Sequence, residues 1–360
     1  MRKFAKYTLV AINVFFALLY IFGLLAAVVP PYRFVWFSYF GLVFPILLVV
    51  QIGFVIFWLC KRKWWFLLSF LLIAGSYKAA NRTFSIPVRH DDSHAQRQIT
   101  LLTYNVSLFG SEKHFDEIVH LVANTDADIV CLQEFGFYHN SCRIDQQKLL
   151  DRFDKLYPYR HIWYKNQRNR FWWGVATFSK FPITNKKKVE YASDYNVSVY
   201  SDIVIGQGDT VRVFNNHLES NKLTSRELRN YKTSAETLDN NGLKDATKVM
   251  GRKLGSAYRI RAKQADIVAA KIAETHYPTI VCGDFNDVAQ SYVYHTLARG
   301  AVDAVATTQW GYNYTFHANG LLVSIDHILL DKRHFVPLST DIIHADFSDH
   351  YPVLTTFAIK

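Results

Sequence analysis

The sequence predicts a mixed α/β sandwich carried behind a set of membrane-spanning helices, and three observations support that expectation. The first eighty of the 360 residues hold eight Lys/Arg and no Asp or Glu, whereas the rest hold 33 basic and 30 acidic side chains. The long apolar runs fall in the same eighty residues. From residue 99 onward, short β-branched and aromatic runs alternate with segments of helical spacing. Most of the +11 net charge therefore belongs to the apolar region, where it signals membrane topology and says little about an anionic partner of the rest.

The chain divides into a transmembrane region over 1–80, a linker over 81–98 and a catalytic domain over 99–360. In the first, 7–29 and 34–60 each exceed the roughly 20 residues needed to cross a bilayer. The run at 64–80 is shorter and spans only if it reaches Ala80, with Trp64 and Trp65 at one interface. A cleaved signal peptide would have a shorter apolar core and no second span directly behind it. Arg2, Lys3 and Lys6, together with Lys61, Arg62 and Lys63, should face the cytoplasm, with Pro30–Arg33 outside. Three spans then place the remainder of the chain outside the cytoplasmic membrane, as in a bacterium, and two place it inside; the extracytoplasmic arrangement is the one expected. Cysteine usage does not discriminate: Cys60 falls in a span, Cys131 and Cys282 in buried strands, and Cys142 in a loop, with no disulfide framework.

The polar stretch 81–98 contains Pro87 and has no periodicity, which reads as a linker. Strands are expected at 99–104, 129–132, 174–178, 197–205, 211–215, 279–282, 325–330 and 353–357. Helices are expected at 115–123 and 256–275, the second with Ile260, Ala265, Val268 and Ile272 on its buried face and Arg259, Arg261, Lys263 and Lys271 solvated. Residues 219–255 read as a polar surface excursion with a turn at Asp239–Gly242. The stretch 219–259 holds nine basic and five acidic residues, too mild an excess to indicate nucleic acid or lipid, since a solvated helical face gives the same balance.

Apolar strands repeatedly run into a carboxylate, amide or imidazole. The run from 99 ends in Asn105, that from 129 in Glu134, and that from 211 in His217. The run from 279 delivers Asp284 and Asn286 two residues apart; Asp326 lies inside a strand, and Asp349 and His350 precede the last one. Oxygen ligands with imidazoles and no thiolate suit Mg²⁺ or Mn²⁺ chemistry on a phosphate. Taken singly, an Asp after Gly is more often a turn former, so Asp284 gains weight from Asn286 and from the order of the motifs. Asp326 within an apolar strand is costly unless paired, which favours an imidazole partner.

In that order, Thr-Tyr-Asn105, Leu-Gln-Glu134, Asn-His217-Leu, Gly-Asp284-Phe-Asn286, Ile-Asp326-His-Ile and Ser-Asp349-His350-Tyr-Pro-Val, the region 99–359 resembles the endonuclease/exonuclease/phosphatase superfamily. The resemblance implies a DNase-I-like four-layer α/β sandwich and Mg²⁺-dependent hydrolysis of a phosphate ester, whether nucleic acid, phospholipid head group or soluble ester. It implies Glu134 as principal metal ligand, with Asn105 beside it and Asp349 contributing directly or through water. It further implies that Asp284 orients or deprotonates the attacking water, that Asn286 holds the phosphate or that water, that His350 paired with Asp326 contacts the phosphate, and that His217 bonds a phosphate oxygen or assists the leaving group. The Asn-His-Leu at 216–218 departs from the tyrosine-containing segment of abasic endonucleases, which counts against DNA repair. A tethered but inactive binding module of the same fold is the alternative, and it would have lost one of Glu134, Asp284, Asp326 or His350; all are present. His327 should point away from Asp326 by strand alternation. Trp172 and Trp173 read as packing or rim residues.

Overall fold

The computed structural model describes residues 2–88, 97–138, 144–167, 171–206, 208–237 and 239–360; Cys142 and most of the second half of the 81–98 segment lie outside them. The N-terminal region is a small helical bundle of α1 (Arg2–Leu25), α2 (Trp36–Leu42), α3 (Phe44–Cys60), α4 (Phe66–Gly75) and α5 (Tyr77–Thr83). The apolar run 34–60 is thus two helices bent by 66° around Val43. The run 64–80 is also divided, at Ser76. α4 alone covers only about 15 Å, yet it packs along α1 in parallel. Ser69 Oγ donates to Asn13 Oδ1 at 3.0 Å and Tyr20 Oη meets Ser76 Oγ at 2.7 Å. Both pairs join residues fifty-six apart, so the two helices run in the same direction. Outward-facing side chains are apolar, among them Phe15, Ile46 and Leu71 at 55, 65 and 62 % exposure.

The segment read as a linker is docked rather than free where it is described. Ser85 exchanges two backbone hydrogen bonds with Gly311, and Val88 N–H donates to the Thr307 carbonyl.

Beyond it come β1 (Arg97–Asn105), a left-handed run α6 (Ser107–Ser111), α7 (Phe115–Thr125), β2 (Ile129–Tyr138), α8 (Gln146–Asp154), β3 (Tyr159–Gln167), β4 (Phe171–Ser179), β5 (Ile183–Val189), β6 (Val197–Val204) and β7 (Thr210–His217). After these lie α9 (Ser225–Glu236), α10 (Asn240–Ala273), β8 (Thr279–Asp284), α11 (Tyr292–Leu297), β9 (Ala301–Asp303), α12 (Ala304–Thr308), β10 (Asp326–Asp331), β11 (Phe335–Ile342) and β12 (Val353–Ile359). Two six-stranded sheets, β11-β12-β1-β2-β4-β3 and β5-β6-β7-β8-β10-β9, pack face to face. Ile99, Leu101, Cys131, Val213, Cys282 and Ile328 belong to the core between them. α7 and α8 cover the first sheet and α10 and α11 the second, each over its own apolar cluster. The result is the expected four-layer sandwich, in which interior strands such as β2, β8 and β10 are buried on both faces while the edge strands β5 and β11 keep exposed positions.

Two expectations are corrected. The polar excursion at 219–255 is helical: its turn signal is the N-terminus of α10, where Asp239 Oδ1 accepts from the Asn241 and Gly242 N–H groups. Arg261 is not solvated but fully buried, because the segments at 219–221 and 287 close over that side of the 34-residue α10, while Arg259 and Lys263 keep its outer face in solvent.

Candidate active site

The strand ends that carry chemistry converge at one edge of the two sheets. His217, Asp284 and Asp326 stand side by side in register on β7, β8 and β10. Gly283 makes this alignment possible: its φ is +119° and a Cβ there would lie 2.1 Å from the Asn216 carbonyl oxygen. Across the sandwich, Asn105 ends β1, and Glu134 occupies a bulge in β2 with φ +50°. The extra residue breaks the alternation and turns the carboxylate toward the other sheet.

Asp284 is the hub. Its Oδ1 accepts from Asn286 N–H at 2.7 Å, and its Oδ2 accepts from Asn105 Nδ2 at 3.0 Å and Asn286 Nδ2 at 3.1 Å. His350 Nε2 lies 3.8 Å from Asp284 Oδ2, while its Nδ1 donates to Asp326 Oδ2 at 2.8 Å. Burial alone would lower the His350 pKa, but the Asp326 and Asp284 carboxylates raise it to about 10, so the ring is an imidazolium. Burial pushes Asp284 up to about 7, with the imidazolium opposing. His217 Nε2 sits 3.6 Å from Glu134 Oε1 and 3.7 Å from Asp284 Oδ2, too far for hydrogen bonds, and neither ring nitrogen has a partner. Burial and the nearby His350 charge lower its pKa to about 3, leaving it neutral.

Glu134 is pushed up to about 8 by burial and by the neighbouring Asp349 charge. Glu134 and Asp349, near enough for the charge of one to act on the other, are oxygen donors that fit a hard divalent ion, and Asn105 Oδ1, which accepts from Ser107 N–H at 3.1 Å, adds an amide oxygen beside them. A second grouping, Asp284, Asp326 and His350, also has ligand atoms within 4.8 Å of one another. Within it His350 Nδ1 is already hydrogen-bonded to Asp326 Oδ2 at 2.8 Å. The structure thus gathers Asn105, Glu134, His217, Asp284, Asn286, Asp326 and His350 around one space, with Asp349 beside Glu134.

Residues 102–350 match the Endonuclease/Exonuclease/phosphatase family across more than half of the chain. The chain belongs to that family. Residues 6–83 separately match a domain of unknown function. Among solved structures, an endonuclease/exonuclease/phosphatase from Beutenbergia cavernae superposes with a TM-score of 0.53 at 13 % identity, covering 73 % of this chain and 72 % of the other. Family proteins from Leptotrichia buccalis and Bacteroides thetaiotaomicron give TM-scores of 0.50 at 15 and 16 % identity, covering 73 % of this chain and 99 and 98 % of theirs. These likenesses establish the fold. No curated protein matches.

Sequence reasoning missed the residues that brace this site from behind. Gln133 Nε2 donates to Asn215 Oδ1 at 2.8 Å between the sheets, and Asn215 Nδ2 donates to the Ala176 carbonyl at 2.9 Å. Buried Arg261 donates to Asp287 Oδ2 (3.3 Å), the Glu219 carbonyl (2.8 Å) and Asn221 Oδ1 (2.9 Å), clamping the loops that follow His217 and Asp284. Trp173 packs against His217 with ring centroids 6.1 Å apart, which makes it a wall of the site. His327 points away as expected and bonds the Asp287 carbonyl at 3.0 Å.

Proposed function

We propose that the chain is a membrane-anchored, Mg²⁺-dependent hydrolase of phosphate esters, a phosphodiesterase or phosphatase. The observation that carries the reading is the meeting of Asp284 with His350, itself hydrogen-bonded to Asp326, in one buried space, with Nε2 3.8 Å from Asp284 Oδ2. Asp284 accepts a proton from the attacking water, which Asn286 helps to orient. A carboxyl poised near the working pH is suited to that task. His350 presents its Nε2–H to a non-bridging phosphate oxygen, with Asp326 fixing the ring and sustaining its charge. Neutral His217, unpartnered at both nitrogens, donates to a further phosphate oxygen or to the departing one. Glu134 and Asp349, with Asn105, would hold Mg²⁺, which when bound supplies Lewis-acid stabilisation of the phosphoryl charge.

Membrane anchoring is supported by the outward apolar surface of the bundle, and orientation by its geometry. α1 and α4 run parallel, so Arg2, Lys3 and Lys6 share one end of the bundle with Lys61, Arg62 and Lys63. The catalytic domain touches the opposite end, where Gln290 Nε2 donates to the Gly23 carbonyl at 3.1 Å. Retention of positive charge in the cytoplasm supports an extracytoplasmic catalytic domain.

The test is hydrolysis of bis(p-nitrophenyl) phosphate and p-nitrophenyl phosphate by the full chain in detergent. Activity should vanish in EDTA and return with Mg²⁺; full activity in EDTA, with bound metal excluded by elemental analysis, overturns the metal-dependent reading.

A further inference from the structure

α10 meets the bundle along a length that fixes its direction. Tyr39 Oη donates to the Gly251 carbonyl at 2.6 Å and its ring packs edge-on to Tyr258 at 5.7 Å, while Tyr32 Oη donates to Asp266 Oδ2 at 3.1 Å. Residues 251 and 266 are about 22 Å apart along the helix, and both are held by the 30–42 end of the bundle. α10 therefore lies across that end, along the plane in which the bundle emerges from lipid. The exposed aromatic rings of Phe34 and Trp36 mark the same level.

The first third of α10 continues past the bundle. With 3.6 residues per turn, the face that contains Gly251, Gly255, Tyr258 and Asp266 extends backward through Lys248 to Lys244, and Arg252 flanks it. These three cations are exposed, and the one acidic residue beside them before Asp266 is Asp245, seven residues before Arg252, which leaves the stripe a net +2. The sheet-facing residues Ala265 and Val268 lie on a different side. The mild +4 of residues 219–259 is thus unevenly placed, with three of its cations on the side continuous with the bundle contact.

We propose that the N-terminal third of α10 rests on the bilayer surface beside the bundle, with Lys244, Lys248 and Arg252 seated among anionic lipid phosphates. The proposal rests on the reading of the bundle as membrane-embedded. The occupant follows from continuity: the face that sits on the bundle's end has, one turn further out, the lipid around that bundle beneath it. Charge complementarity selects anionic headgroups, since a basic side chain near such a surface gains about 1 kcal/mol, or roughly fivefold.

The experiment is hydrogen–deuterium exchange of the full chain in nanodiscs of phosphatidylcholine alone or mixed with phosphatidylglycerol. Amides of 240–252 should exchange about fivefold or more slowly with the anionic lipid, and high salt should cancel the difference. The triple variant Lys244→Glu, Lys248→Glu, Arg252→Glu should show no lipid dependence, with β1 and β12 exchange reporting that it is folded; the salt arm needs no variant. Equal exchange in both lipids, or a difference that survives salt or charge reversal, overturns the proposal. Extraction of the wild-type chain by alkaline carbonate would overturn the membrane reading itself and the proposal with it, leaving the catalytic reading untouched.

Discussion

Asp284 and His350 reach the same space from β8 and from the turn before β12; burial raises the Asp284 pKa against the pull of His350, and the Asp326 and Asp284 carboxylates raise that of His350. Asp284→Asn and His350→Ala should each lower kcat by about 10² or more with little change in KM, because both remove interactions made mainly in the transition state. Steady-state kinetics, with circular dichroism to confirm folding, measure this, and the double variant should lose far less than the product of the two effects. Wild-type kcat in folded single variants would remove these residues from the mechanism. Asp326→Asn adds a pH signature. The carboxylate helps raise His350 to about 10, so its removal lowers the imidazole pKa and shifts the alkaline limb of kcat/KM to lower pH. An unmoved limb would mean that His350 is not the group titrating there. At this scale the sequence was informative for a definite reason. A strand that ends in a polar residue leaves it beside its neighbours' ends, so His217 and Asp284 stood out where two apolar runs stop, and Asp326 stood out as an acid within an apolar run. Trp173 gave no such signal, since nothing local separates a ring that packs in a core from one that walls a site.

Among the elements, α10 ties the site together through a single buried guanidinium. Arg261→Met leaves Asp287 buried without its cation and should cost about 3–5 kcal/mol, seen as a lower Tm; adding Asp287→Leu should restore part of it. No recovery in the double variant would mean that the loop contacts at Glu219 and Asn221, rather than the ion pair, dominate. Gly283→Ala should destabilise the β7–β8 pair through its φ and the Asn216 carbonyl, and thermal melting checks that too. The strands that the sequence revealed were the interior ones, whose unbroken apolar runs have no other explanation. β3, β5 and β11 escaped notice because edge strands alternate with Lys, Asn and Asp and so resemble loops. Arg261 was assigned to solvent because helical periodicity sorts side chains by one neighbour, and α10 has two. The left-handed run after Asn105, with Leu108 and Phe109 both at positive φ and both buried, has no sequence signature at all; packing of those two side chains holds it.

For the molecule as a whole, bundle and sandwich share a contact that includes the Asp284–Gln290 loop. A reporter fused after Lys360 should be active only outside the cytoplasm, and a cytoplasmic signal would reverse the orientation inferred from the two basic clusters. The paired residues Asn13–Ser69 and Tyr20–Ser76 also bear on how such a bundle is built. During synthesis α1 and α3 leave the ribosome before α4, so for that interval Asn13 has no serine to bond. α4 is the shortest of the three, and it brings Ser69 within it and Ser76 at its C-terminal cap, at the same interval of seven residues as Asn13 and Tyr20. The first helix thus presents two polar groups whose partners come only with the last.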